Sequence, residues 1–194
     1  MPLRQFSRLL ATARQRVRGF TIVELVTVMV MVGLLAAVAM PRFFQQDSFD
    51  ARSFADQNVS MLRYAQKLAI AQNRPVFVLL NGTRIALCFS AACDAAGSEA
   101  MRVLPPAGGN SGRKATLAAC ANATAWLCEG APNKISYSVP LDAAAFYFNA
   151  LGRPYKASDT EPVSSFPARV SIGISGGGIP RNIVVEGETG YVHY

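Results

Sequence analysis

Residues 20–40 read FTIVELVTVMVMVGLLAAVAM and contain a single charged side chain, that of Glu24. An apolar stretch of about 20 residues is long enough to cross a bilayer as a helix. Five arginines and no acidic residue come before it, at Arg4, Arg8, Arg14, Arg16 and Arg18. Basic residues next to a membrane helix stay on the cytoplasmic side. We therefore expect residues 20–41 to cross a membrane once, with residues 42–194 on the far side.

Composition and charge exclude several classes of function. The net charge of +7 is concentrated in the N-terminal arginines, and 14 basic and 12 acidic residues follow Gly19. A basic domain would suggest nucleic acid as a partner, but this nearly balanced remainder does not. His193 is the sole histidine and lies next to the C-terminus, which weakens most enzyme interpretations, because neither a histidine-dependent nucleophilic site nor a multi-histidine metal site can be argued. We expect a protein that is not an enzyme and that binds no cofactor or metal.

Three interpretations of the apolar stretch compete. A secretory signal peptide would be cut after a small-x-small site, for which Ala37-Val38-Ala39 would serve. A plain membrane anchor is the second interpretation. Glu24 argues against both, because an unpaired charge within a membrane costs roughly 2.5–3.5 kcal/mol or more. A third interpretation must therefore give this carboxylate a partner.

The segment Arg18-Gly19-Phe20-Thr21-Ile22-Val23-Glu24-Leu25 resembles the class III signal of type IV pilins and pseudopilins. The resemblance implies that residues 1–19 are a basic leader, which a prepilin peptidase removes by cutting between Gly19 and Phe20. It also implies that Phe20 is then N-methylated. Gly33 and Pro41 fall where this family has its helix-softening glycine and proline. The implied partners are other pilins, the prepilin peptidase and the inner-membrane assembly platform, and the implied location of residues 42–194 is the periplasm.

The family mechanism gives Glu24 a physical role in assembly. Cleavage leaves a free, positively charged amine on Phe20, and Glu24 of one subunit can pair with that amine on a neighbour. In a medium of low dielectric constant such a pair is strongly favoured over an isolated carboxylate. A buried polar pair of this kind fixes the register of packed helices.

The remaining sequence predicts an α+β head. Small and apolar residues recur every three or four positions from Ala51 to Ala69, which indicates an amphipathic helix that continues to about residue 73, where Arg74-Pro75 ends it. We expect a bend near Pro41. Asn81-Gly82 lies between two apolar runs and indicates a β-hairpin. Further strands are expected at residues 134–139, 145–149, 168–174, 182–186 and 191–194, which gives a long helix packed on an antiparallel sheet.

A second resemblance concerns this head. The segments Asp50-Ala51-Arg52, Leu62–Ile70 and Arg74-Pro75-Val76 are similar to minor pilins of the GspH/FimT type, as is Phe148–Pro154 with its Gly-Arg-Pro. Within that type, residues 50–76 most resemble the C-type minor pilins of mannose-sensitive haemagglutinin (MSHA) pili. The resemblance implies a subunit that is incorporated in a pilus or primes it.

Four cysteines, Cys88, Cys93, Cys120 and Cys128, would lie in an oxidising compartment, where disulfides are expected. Local pairing, Cys88 with Cys93 and Cys120 with Cys128, is favoured because it needs no assumption about topology. A crossed pairing, such as Cys88 with Cys120 and Cys93 with Cys128, stays open. A zinc site is the rival interpretation, although its spacings depart from those of common zinc motifs.

Three functional hypotheses follow from these observations. The favoured one is a minor pilin or pseudopilin, for which a type IV pilus and a type II secretion system are alternatives. The second is a DNA-uptake minor pilin, but the C-terminal segment Gly190–Tyr194 lacks the Gly-Arg-x-Arg cluster of such receptors, and Glu186 and Glu188 precede it. Phosphate binding needs the opposite charge. The third is a secreted enzyme behind an ordinary signal peptide, for which the residues nominate no chemistry.

Overall fold

The structure is a computed structural model that describes residues 19–140 and 144–194, without the side chains of residues 40–45. Apart from Gly19, the predicted leader therefore lies outside the described residues. The chain divides after Pro41 into two compact units, Met1–Pro41 and Arg42–Tyr194. The second unit is called the head below.

The first element, α1, spans Ile22–Gln72, within two residues of the predicted limits at each end. Its last 22 residues bury one face in the head, because small and apolar side chains recur there at helical spacing. Asn73, just after the helix, has a left-handed φ of 49° and precedes Arg74-Pro75, so the chain cannot continue as a helix. The residues of α1 buried in the head are Ala51, Phe54, Ala55, Asn58, Val59, Met61, Leu62, Ala65 and Ala69.

Within residues 19–140 and 144–194, nine strands form two antiparallel sheets. The first sheet has the order β3-β2-β1-β5-β6, formed by Cys128–Gly130, Arg84–Cys88, Val76–Leu80, Ala145–Phe148 and Pro154–Lys156. The second has the order β4-β7-β8-β9, formed by Ser136–Ser138, Arg169–Gly176, Ile179–Glu186 and Val192–His193. Helix α2, Lys114–Ala119, and a short 3-10 helix, Glu99–Met101, lie between β2 and β3.

The predicted α+β class is confirmed, with one difference in layout. The sequence predicts one antiparallel sheet, whereas the described part of the chain has two. Strand β6 was not predicted, because its three residues begin with Pro154 and show no alternation. Strand β3 lies in residues 113–130, where the pattern fits a helix as well as a strand. The glycine run 176–178 is a hairpin turn between β7 and β8, in which Gly177 and Gly178 have φ values of 61° and 82°, as a two-residue turn with positive φ requires.

Among the side chains that the structure describes, the core consists of two clusters on opposite faces of the first sheet. The larger cluster lies between the buried face of α1 and side chains of both sheets, such as Val78, Phe146 and Ile172. The smaller cluster contains all four cysteines together with Ala86 and Trp126. Strand β2 contributes to both, because Ile85 and Leu87 belong to the first cluster while Ala86 and Cys88 belong to the second.

Helix α1 also forms hydrogen bonds to two turns between strands, one from each sheet. The side-chain amide of Gln66 donates to Gly152 O in the β5–β6 turn (3.0 Å) and to Thr189 O in the β8–β9 turn (2.8 Å). Gly152 and Gly190 both have positive φ values, 78° and 67°. A side chain on Gly190 would also collide with Gly152 O, so this junction of helix and turns requires glycine. The Gly-Arg-Pro segment singled out in the sequence therefore joins the two sheets at the end of α1.

Candidate processing and assembly segment

The start of α1 follows a short non-helical segment and carries an N-cap. Gly19 and Phe20 precede the helix and are exposed, and the side chain of Phe20 is 76% exposed. Thr21 Oγ1 accepts a hydrogen bond from Glu24 N at 3.2 Å. This is the N-cap interaction of a Thr-x-x-Glu capping box. The predicted cleavage bond therefore lies in non-helical, accessible chain directly before a defined helix start.

Glu24 lies in the first turn of α1 and is exposed. Its backbone carbonyl accepts a hydrogen bond from Thr27 Oγ1 at 3.0 Å. Among the described residues of this single chain, none places a cation within ion-pair distance of the Glu24 carboxylate. A carboxylate near the positive end of a helix is favourably placed, and its charge is available to a group outside the chain.

The apolar surface of this segment is uncovered. Ile22–Ala39 has a mean hydropathy of 2.5, and none of it is buried within the protein. It is the one helix, among the residues described, that is long and apolar enough to cross a membrane. A Cβ added to Gly33 would meet nothing within 4 Å, so this glycine is not required by packing inside the chain. Pro41 falls within the bounds of α1, and the bend expected there stays a prediction.

The four cysteines form two disulfides, Cys88–Cys93 and Cys120–Cys128. This is the local pairing, and a sulfur atom joined in a disulfide is not a thiolate that could bind zinc. All four are buried around Trp126. Cys93 and Cys120 lie in the long connection between β2 and β3, and each is bonded to the end of one of those strands. The disulfides therefore attach this connection to the first sheet.

Sequence reasoning missed Thr21, although the spacing of Thr21 and Glu24 could have identified it as a cap. It also left His193 with no role beyond an edge strand. The structure places His193 in the edge strand β9, where its Nε2 lies 3.0 Å from Glu186 Oε1. This hydrogen bond raises the pKa of His193 and lowers the pKa of Glu186, whose carboxylate is also bonded by Arg169.

We expect this pair to make the attachment of β9 depend on pH. A raised His193 pKa stabilises the folded state fully below the ordinary value of 6.5, and this stabilisation is lost as pH rises through the folded pKa. A lowered Glu186 pKa stabilises the folded state above pH 4.5, the ordinary pKa of glutamate, and this stabilisation is lost as pH falls through the folded pKa. The pair therefore contributes most between these two values.

The sole imidazole of the chain should titrate above pH 6.5 in a proton NMR experiment, and Glu186→Gln should bring its pKa down toward that value. Glu188→Gln is the control, since Glu188 is paired with Arg153 instead. An imidazole pKa that is the same in the unmodified protein and in both variants would contradict the contact between His193 and Glu186.

Comparison with known proteins finds a family model and relatives that match the N-terminal segment. Residues 14–40 match the family model described as the prokaryotic N-terminal methylation motif. The type IV major pilin protein PilA of Myxococcus xanthus is 42% identical over 52 residues, which are 27% of this chain and 24% of that protein. The type IV narrow pilus major component PilA5 of Thermus thermophilus is 33% identical over 61 residues, 31% of this chain and 53% of that protein. The match with this chain thus spans about a quarter of the length of PilA and about half of the length of PilA5.

Crystal structures of the type IV minor pilin FimU of Pseudomonas aeruginosa also align with this chain. In one crystal form the alignment covers 73% of this chain and 90% of FimU, with a TM-score of 0.41 and 15% identity. The second form gives a TM-score of 0.41 and 14% identity, and covers 77% and 87%. The motif match and the two sequence relatives show that the N-terminal segment of this chain is similar to that of type IV pilins.

Proposed function

We propose that this protein is a minor pilin or pseudopilin that is incorporated in a type IV pilus of the MSHA kind or primes its assembly. In this proposal a prepilin peptidase cuts between Gly19 and Phe20, and Phe20 is then N-methylated. The mature subunit joins other pilins through its N-terminal helix, after extraction by an inner-membrane assembly platform. The protein acts by packing against its neighbours and not by catalysis.

One observation carries the proposal. The methylation motif, residues 14–40, coincides with an apolar helix whose whole surface is exposed in the single chain. An exposed apolar surface of this extent must be covered by lipid, by other helices or by both in turn. Glu24, unpaired within the described chain, adds a specific polar contact that an ordinary anchor would not need.

The location follows from the same features. The N-terminal arginines favour a cytoplasmic start, so residues 42–194 would lie in the periplasm before assembly. The two buried disulfides support this orientation, because disulfides form and persist in oxidising compartments. We therefore propose a single-pass protein of the inner membrane that moves into the filament.

The first test is the N-terminus of the mature protein. Intact-mass and N-terminal analysis of protein from its native host should give a chain that begins with methylated Phe20. Replacement of Gly19 by Val should leave the precursor uncut, because the peptidase would meet a branched side chain at the cleavage site. Gly33→Ala is the matched control, since an added methyl group there meets open space. A mature chain that begins at Met40 would show an ordinary signal peptide and would defeat the proposal.

A further inference from the structure

A cavity of about 440 Å³ lies in the head between α1 and the connection from β2 to β3. Its volume is within the range of about 300–1,000 Å³ that is usual for ligand sites. Met61 and Tyr64 of α1 form part of one wall, and Pro105 and Leu127 form part of the opposite wall. Glu129 is the one charged residue among the described residues that line it. We call this space the Glu129 cavity.

The strand register places the Glu129 side chain on the α1 side of the first sheet. Glu129 of β3 lies opposite Ile85 of β2, and residues directly opposite each other in antiparallel strands point to the same face. Ile85 belongs to the larger core cluster, which lies against α1. Glu129 is itself only 3% exposed. The wall of the Glu129 cavity therefore contains a buried carboxylate.

Three hydrogen bonds fix the position of this carboxylate but leave one acceptor position open. Its Oε2 accepts from Ser111 Oγ (2.6 Å) and Thr116 Oγ1 (2.8 Å), whereas its Oε1 accepts only from Ser111 N (2.7 Å). Each carboxylate oxygen has about two acceptor positions, so Oε1 can accept one more hydrogen bond. The three donors are uncharged, and no cation of the described residues forms an ion pair with Glu129. Its negative charge is therefore not compensated within the described chain.

The apolar lining and the single open acceptor position together favour lysine as the occupant. A lysine side chain buries its apolar stem, and its ammonium group is a compact point charge that one acceptor can bind. An arginine binds a carboxylate best through two parallel hydrogen bonds, one to each oxygen, and Oε2 already accepts two. Ser60, Pro106 and Ser111 line the cavity and are exposed, so a side chain can enter it from outside the protein.

We propose that the Glu129 cavity binds a lysine side chain that projects from the surface of another protein. The ammonium group would donate to Glu129 Oε1, and the stem would lie along Met61 and Tyr64. Apolar residues beside the lysine would contact the remaining walls of the cavity. The cavity lies entirely in the head, so this binding is separate from processing at Gly19 and from packing of the apolar helix.

The test uses the full chain in lipid nanodiscs and four blocked tripeptides with leucine at both ends and lysine, acetylated lysine, norleucine or arginine in the middle. Met61 lines the cavity and is buried, so the NMR signal of its isotope-labelled methyl group reports binding. The methyl signal of Met101, which does not line the cavity, is the internal control. We expect the lysine tripeptide to bind at least about tenfold more tightly than the acetylated-lysine and norleucine tripeptides, as a hydrogen bond between charged groups would give. The arginine tripeptide should bind more weakly than the lysine one.

A variant shows whether the Glu129 carboxylate is the group that selects lysine. Glu129→Gln should reduce the affinity for the lysine tripeptide to that for the norleucine tripeptide, whose own binding should persist. Glu188→Gln is the control and should keep the preference, because Glu188 is exposed and does not line the cavity.

Three outcomes would overturn the proposal. The first is a Met61 signal that shows no saturable shift with the lysine tripeptide, or that shows equal affinity for lysine and acetylated lysine. This comparison needs no variant, so it decides the matter even if Glu129→Gln does not fold. The second is a preference for lysine that persists in Glu129→Gln. The third is an arginine tripeptide that binds as tightly as the lysine one.

Discussion

Protein carrying Glu24→Ala is expected to insert into the membrane and to be cut after Gly19, yet to be missing from filaments. Cleavage depends on the residues around Gly19, which the substitution leaves intact. In the proposed function, assembly depends on the Glu24 carboxylate, which has no cation partner within the described chain. Loss of one partner of a buried ion pair costs about 3–5 kcal/mol, so incorporation should fall on the order of a hundredfold or more. The measurement is an immunoblot of sheared filaments against whole cells, with the mature mass confirmed.

Two further variants distinguish the charge of Glu24 from its place in the helix cap. Glutamine serves as well as glutamate at the third position of a capping box, so Glu24→Gln should keep the helix start at Thr21 but still fail to assemble. Thr21→Ala removes the cap oxygen that accepts from Glu24 N and should weaken assembly less than loss of the charge does. Normal incorporation of Glu24→Gln would show that the charge pair is not needed.

The N-terminal segment could be predicted closely because its chemistry is local. An apolar run of defined length, the arginines before it and one acidic residue within it are read directly from the sequence, and α1 begins two residues after Phe20. The buried stripe from Ala51 to Ala69 was also predictable, because helical spacing repeats over about five turns. Ile70, the apolar residue that follows this stripe, is 51% exposed, since it lies beside Gly152 of the β5–β6 turn and not under a sheet.

The division into two sheets could not be predicted. Strand order depends on contacts between residues far apart in sequence, such as the pairing of Val76 with Phe148, and no local pattern encodes them. Helix α2 and strand β3 lie in residues 113–130, where apolar residues fit both periods.

The smaller core cluster, which contains both disulfides and Trp126, is the basis of a prediction about the stability of the head. Trp126 is fully buried, packs among both disulfides, and donates a hydrogen bond from Nε1 to Leu87 O at 3.0 Å. Arg84 and Arg102 place their guanidinium groups 5.3 Å and 4.6 Å from its ring centre. This one side chain therefore joins β2 to the connection that carries two of the four cysteines.

Trp126→Ala is expected to destabilise the head by about 3–5 kcal/mol, because it leaves a large cavity that the two disulfides prevent from collapsing. For a domain of this size, that corresponds to a fall of roughly 10 °C or more in the midpoint of thermal unfolding, which circular dichroism of the oxidised protein would measure. Trp126→Phe fills most of the volume, and Leu87 O keeps its bond from Val103 N, so its midpoint should fall by less than half as much. Tyr191→Ala is the surface control, since Tyr191 is 59% exposed. A midpoint of Trp126→Ala close to that of the control would show that the connection between β2 and β3 is held by its disulfides alone, and the packing argument would be wrong.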